Sequence, residues 1–138
     1  MTKVVFDTNV LISSLIKKGS PRDLLRKAIR GEIALILSPE ILKEFDEVME
    51  RPKMRRYITV PKLRRFRRLL YSRSILVKPG TKLDQLTIDP RDNVFVETAL
   101  EGKAEYVVSG DGHLLSLKEF KGIRIVTVGE MLELLKKT

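Results

Sequence analysis

The sequence predicts an α/β fold, a parallel sheet covered by helices on both faces. Three observations carry that reading. Short runs rich in Val and Ile, at 3–6, 33–37, 105–108 and 123–127, look like strands buried on both sides. They alternate with segments of helical period. Three helix starts also share one chemistry, Ser20-Pro21, Ser38-Pro39 and Asp89-Pro90: a capping side chain, then a proline at the first helical position, where its missing N–H costs nothing.

In chain order, strand 3–6 hands over at Asp7 to a helix over 9–17, and a second helix covers 21–30 and stops at Gly31. Strand 33–37 leads into helix 39–50, whose apolar stripe is Ile41, Leu42, Phe45, Val48 and Met49. Basic helices fill roughly 53–73, followed by a short strand near 75–77 and a loop to Thr87. Helix 90–102 ends at Gly102 and leads to strand 105–108; a short helix follows Asp111. Strand 123–127 and helix 129–137, with Met131, Leu132, Leu134 and Leu135 expected to cover the sheet, complete the chain. At 138 residues, 43% hydrophobic and 33% charged, the chain fits one domain, 1–138, with a core of its own.

No apolar run approaches the roughly 18 residues needed to cross a bilayer, so no membrane partner is expected. Asp7 and Asn9 interrupt the first apolar stretch, which removes a signal-peptide reading. The absence of cysteine excludes disulfides and thiolate zinc sites and suits a cytoplasmic protein. One Gln, two Asn and many charged residues lean towards a thermophile.

The net charge is +9, and ten of the 27 basic residues fall between Arg51 and Arg73, a stretch without a single acid. The remainder is close to neutral. Such a block is expected to attract a phosphate backbone, with Arg51, Arg55, Arg56, Arg64, Arg65, Arg67 and Arg68 as the contacts. The bland alternative is a solvated helix face. Tyr57, Phe66 and Tyr71 are interleaved with these cations and have the faces to stack bases. Phe66 and Tyr71 are expected instead to pack inward with Leu63, Leu69 and Leu70.

In open α/β sheets ligands bind at the carboxyl ends of the strands, and carboxylates gather there. Asp7 directly follows the first strand; alone it reads as a helix cap. Asp92 lies in the first turn of helix 90–102, on the face of Phe95, Val96 and Ala99, which points it at the core side. Asp111 follows strand 105–108 in "VVSGDGHLL", where an Asx-turn would also explain it. In helix 39–50, Glu44 and Asp46 flank opposite borders of the apolar stripe, and periodicity does not choose between them. Like charges aimed at one edge repel, and a divalent cation would resolve the repulsion. All-oxygen donors suit Mg²⁺ or Mn²⁺. His113, the sole histidine, rules out a histidine-rich zinc site.

At this point the chain resembles the PIN-domain ribonucleases, the group that includes the toxin halves of many toxin–antitoxin pairs. The resemblance rests on "FDTNVLISSL" (6–15), "SPEILKEFDEVMERPK" (38–53), "DPRDNVFVETALEGKAEYVVSGDGHLL" (89–115) and "IRIVTVGEML" (123–132). It implies a three-layer sandwich with a five-stranded parallel sheet between helices. It also implies a metal-dependent nuclease site whose acids fall on Asp7, Glu44, Asp92 and Asp111, so it chooses Glu44 over Asp46. Asn9 and Ser109 fall where the family carries supporting polar residues, expected to orient the carboxylates. Asn93 stands where many members have a further acid, which bears on the charge of any second metal position. The implied substrate is RNA and the implied partner a cognate antitoxin protein; a homodimer is compatible with the resemblance.

Rival readings fit less well. A phosphorelay receiver needs a pair of acids after its first strand and a lysine after its last, whereas Asp7 stands alone and Thr127-Val128-Gly129 ends strand 123–127. A dinucleotide-binding domain needs a Gly-rich first turn, and "DTNV" has none. A non-catalytic module of the same fold, binding RNA or a protein, is the alternative that the residues themselves do not exclude.

Overall fold

The computed structural model describes residues 1–84, 86 and 89–137. Its elements are β1 (Lys3–Phe6), α1 (Thr8–Ile16), α2 (Ser20–Ile29), β2 (Ala34–Leu37), α3 (Pro39–Met49), a 3₁₀ turn (Pro52–Arg56), α4 (Val60–Arg73) and β3 (Ser74–Leu76). A second 3₁₀ turn (Pro90–Asp92) runs into α5 (Asn93–Gly102), followed by β4 (Tyr106–Val108), α6 (Gly112–Leu115), β5 (Glu119–Phe120), β6 (Ile123–Val126) and α7 (Val128–Lys136). The loop predicted to reach Thr87 ends outside the described residues.

The sheet runs β3-β2-β1-β4-β6-β5. The five strands expected are there and all parallel, and β5 adds a sixth, antiparallel to β6. Phe120 pairs with Ile123 across Lys121 and Gly122, whose φ values of 48° and 83° make a two-residue turn of the primed type. That hairpin was the one element missing from the sequence reading. Its signal was there: two short apolar-containing runs separated by two residues ending in Gly.

Apolar runs on the strands are continuous because both faces are covered. Val4, Val5 and Phe6 of β1 and Leu35, Ile36 and Leu37 of β2 are all buried. Helix α5 lies across β1, β2, β4 and β6, while α1 packs on α2, and α2 on α7 and α4. The buried side chains form one continuous cluster. Phe66 joins it, its ring 5.8 Å from that of Phe45. Tyr71, expected inside, is about half exposed, with the Arg67 guanidinium 5.6 Å over its ring.

Element ends differ from expectation in instructive ways. Helix α2 takes in Ser20, and its cap is Gly19, at φ 130°, with no side-chain bond. Gly102 remains helical, and the left-handed stop falls on Lys103 at φ 54°. Gly102 is needed for another reason: a Cβ there would lie 2.5 Å from Ile36 Cγ2, so glycine lets α5 close onto β2. Thr127 is not strand but the cap of α7, in a reciprocal capping box with Glu130.

The strand order sets the position of the site. From β1 the chain moves outward to β2 and β3, then crosses back to β4 on the other side of β1. The carboxyl ends of β1 and β4 therefore flank the switch point, where helices leave in opposite directions and open a crevice.

Candidate active site

Asp7 stands at that crevice. Its N–H donates to the Val108 carbonyl at 3.0 Å, so the β1–β4 ladder extends to Asp7 itself. Its side chain is buried and held at both oxygens: Oδ1 accepts the Val10 N–H at 2.8 Å, and Oδ2 accepts the Ser109 hydroxyl. The first bond is the N-cap of α1. A carboxylate offers about four lone-pair sites, and two donors leave room for a cation. Burial pushes the Asp7 carboxyl above its ordinary range, against the pull of the Ser109 and Val10 bonds, and the charge of Asp111 adds to the rise.

Ser109 reaches Asp7 from the end of β4. Its own N–H donates to the Val126 carbonyl at 2.9 Å, and its fully buried hydroxyl accepts the Asp111 N–H at 2.9 Å. One oxygen thus links Asp7 to the backbone of the next acid. Asp111 Oδ1 accepts the His113 N–H at 2.9 Å and caps α6, so the Asx-type turn does form.

Asp92 enters from the opposite side, at the cap position of α5, but makes no capping bond. Its carboxyl is pushed up to about 6, first by burial, then by a hydrogen bond to Asp111 and that residue's charge, with Asp89 and Asp7 adding to the field. Asp7, Asp92 and Asp111 therefore act on one another. Glu44, half-buried on α3, is related to the group through Arg91. The Arg91 guanidinium is gripped by Asp89, with Nη2 2.8 Å from Oδ2, and its pKa is raised by Asp89 first and also by Glu44 and Asp92.

Asp46, the other border residue of α3, has a different partner: both its oxygens accept from Arg67 of α4. Asn93 turns its amide to the Leu83 carbonyl at 2.8 Å. One and two turns further along α5, Glu97 accepts the Leu83 N–H at 2.6 Å and Glu101 accepts the Gly80 N–H at 2.9 Å. This i, i+4, i+8 stripe pins the loop before Asp92 to the helix. It passed unread in the sequence, although its spacing is that of one helix face.

Asn9 stands exposed in the first turn of α1, while the two bonds that hold Asp7 come from Val10 and Ser109. Thr8 beside it carries a buried hydroxyl with no partner among the described residues, a group that calls for water or a ligand. Of the basic residues singled out, Arg51, Arg56, Arg64, Arg65 and Arg68 are exposed. Arg55 donates to the Met49 carbonyl at the end of α3, and Arg67 is engaged by Asp46.

These residues fit a hard divalent cation in kind. The donors are all oxygen, and Asp7 and Asp92 are raised first by burial and further by the neighbouring acids, a cost that a cation would offset. Among the described residues no three acidic or histidine side chains form a ready-made cation cage. Nor is any described helix long and apolar enough to cross a membrane.

The chain matches a family profile described as PIN domain over residues 3–113. An uncharacterized protein of Methanocaldococcus jannaschii is 35% identical over 119 residues, which covers 85% of this chain and 76% of that protein. Among solved structures, a chain of VapBC2 from Rickettsia felis, bound to a DNA fragment from their promoter, superimposes with a TM-score of 0.63. It is 18% identical and covers 91% of this chain and 98% of its own. PAE2754 from Pyrobaculum aerophilum gives the same TM-score at 16% identity, over 99% of this chain and 91% of that one. At these identities the two structures share the fold.

Proposed function

Because the chain belongs to the PIN-domain family, we propose that it is a Mg²⁺- or Mn²⁺-dependent endoribonuclease and the toxin half of a toxin–antitoxin pair. The observation that supports this reading is that Asp7, Asp92 and Asp111 lie near enough at the switch point of the sheet for their charges to act on one another. With Glu44 they would hold the cation. When bound, the cation supplies charge stabilisation for the attacked phosphodiester and an acidified water as nucleophile.

The chain's own residues do the positioning. Asp7 is fixed by the β1–β4 ladder, the α1 cap and Ser109, so its carboxylate does not have to be ordered when substrate arrives. Ser109 couples the position of Asp111 to that of Asp7. The exposed arginines of the 3₁₀ turn and α4 supply positive potential for an RNA backbone. The partner proposed is a cognate antitoxin, a reading consistent with the presence of a similarly folded chain in VapBC2; a homodimer is part of the same proposal.

Asp7→Asn is the discriminating variant, since Asn caps a helix about as well as Asp and the change removes charge rather than the cap. Purified protein with Mn²⁺ should cleave RNA, and the variant should lose at least about 10²-fold of that activity. Cleavage that persists in EDTA, or at full rate in the variant, refutes the proposal. Calorimetric Mn²⁺ binding without cleavage of any RNA would favour the non-catalytic module.

A further inference from the structure

Between α1 and the chain leaving α3 runs a groove of about 390 Å³. It begins at Asn9, two positions from Asp7, and ends at Lys17; Arg51, Lys53 and Tyr57 line its other wall. Tyr57 leaves 53% of its surface in solvent. Lys17, Arg51 and Lys53 form no ion pair among the described residues, and no carboxylate lines the groove. The two grooves between α3 and α4 differ: Asp46 and Glu50 line both, and Arg67, which faces both, is already neutralised.

We propose that this groove is the track for one single-stranded flank of the nucleic acid at the Asp7 site. Lys17, Arg51 and Lys53 contact successive phosphates, and an unpaired base stacks on Tyr57. The length suits the occupant. From Asn9 to Lys17 the helix rises about 12 Å, the span of about three stacked nucleotides. Stacking on a protein ring needs a base released from pairing, which selects a single strand over a duplex. The placement rests on the nuclease reading for the chemistry at the mouth of the groove, but the binding does not depend on cleavage.

Binding is therefore measured in EDTA, by fluorescence anisotropy of a labelled 12-nucleotide RNA with the full chain. Tyr57→Ala should weaken binding about tenfold, while Tyr57→Phe, which keeps the stacking face, should bind like the unmutated chain. Lys17→Ala, Arg51→Ala and Lys53→Ala combined should lower the slope of log K against log salt by about two. Lys136→Ala with Lys137→Ala, a control for bulk charge on α7, should leave that slope unchanged. An unaltered slope in the triple variant, full binding by Tyr57→Ala, or no RNA binding by the unmutated chain overturns the proposal. Displacement of the RNA by polyglutamate as readily as by unlabelled RNA would assign the groove to an acidic peptide and overturn it too. A chain that binds RNA here yet cuts none with Mn²⁺ sustains the track and sinks the nuclease.

Discussion

Ser109→Ala tests how the site is held. The hydroxyl is fully buried, donates to Asp7 and accepts the Asp111 N–H at 2.9 Å. Alanine removes both bonds and leaves little room for a replacement water. A bond to a charged acceptor contributes about 1.5–3 kcal/mol and a neutral one about 1 kcal/mol. The two share one oxygen and do not add fully, so the expected loss is about 2–4 kcal/mol, or on the order of 10 °C in melting midpoint for a domain of this size. The loss should depend on pH in a set direction. Burial holds Asp7 above its ordinary range and the Ser109 bond draws it down. Without that bond the carboxyl rises further, and the penalty belongs to its charged form. It is full at pH 8 and shrinks as falling pH protonates Asp7. Urea unfolding at pH 8 and at the lowest pH where the chain stays folded reads the difference. Mn²⁺ titration should in parallel show a 10- to 100-fold weaker site, the usual cost of losing an outer-shell support. Equal stability loss at both pH values, together with unchanged Mn²⁺ affinity, would refute the reasoning.

Asp92 gives a second pH signature. Its folded value of about 6 exceeds the ordinary 3.8, so it costs stability above pH 6 and is relieved as pH falls through that value. Metal-free protein should melt higher at pH 5 than at pH 7.5, and Mg²⁺ should stabilise it more at pH 7.5; a melting midpoint in EDTA that climbs from pH 5 to 7.5 contradicts this. Gly102→Ala places a Cβ 2.5 Å from Ile36 Cγ2 and should cost about 1–3 kcal/mol in urea unfolding; an unchanged midpoint would mean that the α5–β2 contact is not tight. Glu97→Ala removes the acceptor for the Leu83 N–H. Amide exchange at Leu83 should accelerate while that at the core residue Leu70 does not, and equal protection at Leu83 would show that the stripe on α5 does not hold the loop.

The parallel sheet was legible because strands buried on both faces leave a plain trace: Val4–Phe6, Leu35–Leu37 and Val107–Val108 are unbroken apolar runs. The helix start at Ser38 was legible from its capping side chain, while those after Asp7, Gly19 and Thr127 were missed by a residue. What sequence could not supply was pairing across distance. Nothing in the spacing of Asp46 and Arg67, 21 residues apart, announces that they bind each other. Nor does a pattern foretell that Tyr71 prefers the Arg67 guanidinium to the core. Topology alone put Asp7 and Asp111 at the carboxyl ends of β1 and β4; what each of them bonds to is side-chain geometry that periodicity does not encode.

Capping and cation binding, set against each other in the sequence, are compatible uses of the same carboxylates. Asp7 caps α1 with one oxygen and takes Ser109 with the other, and Asp111 caps α6 while its own N–H is held by Ser109. A helix N-terminus favours negative charge, so capping lowers the cost of keeping an acid ionised beside its neighbours. Asp92 shows the converse: at the cap position of α5 it has no capping bond, leans on Asp111 instead, and is the acid driven to about 6. The proton it carries near pH 6 in the metal-free protein marks where the site is least satisfied, and that is the proton a divalent cation would displace first. Mn²⁺ binding at pH 6 should then eject protons measurably, and Asp92→Asn should abolish most of that release. Proton release that survives in the variant would place the unsatisfied carboxyl elsewhere.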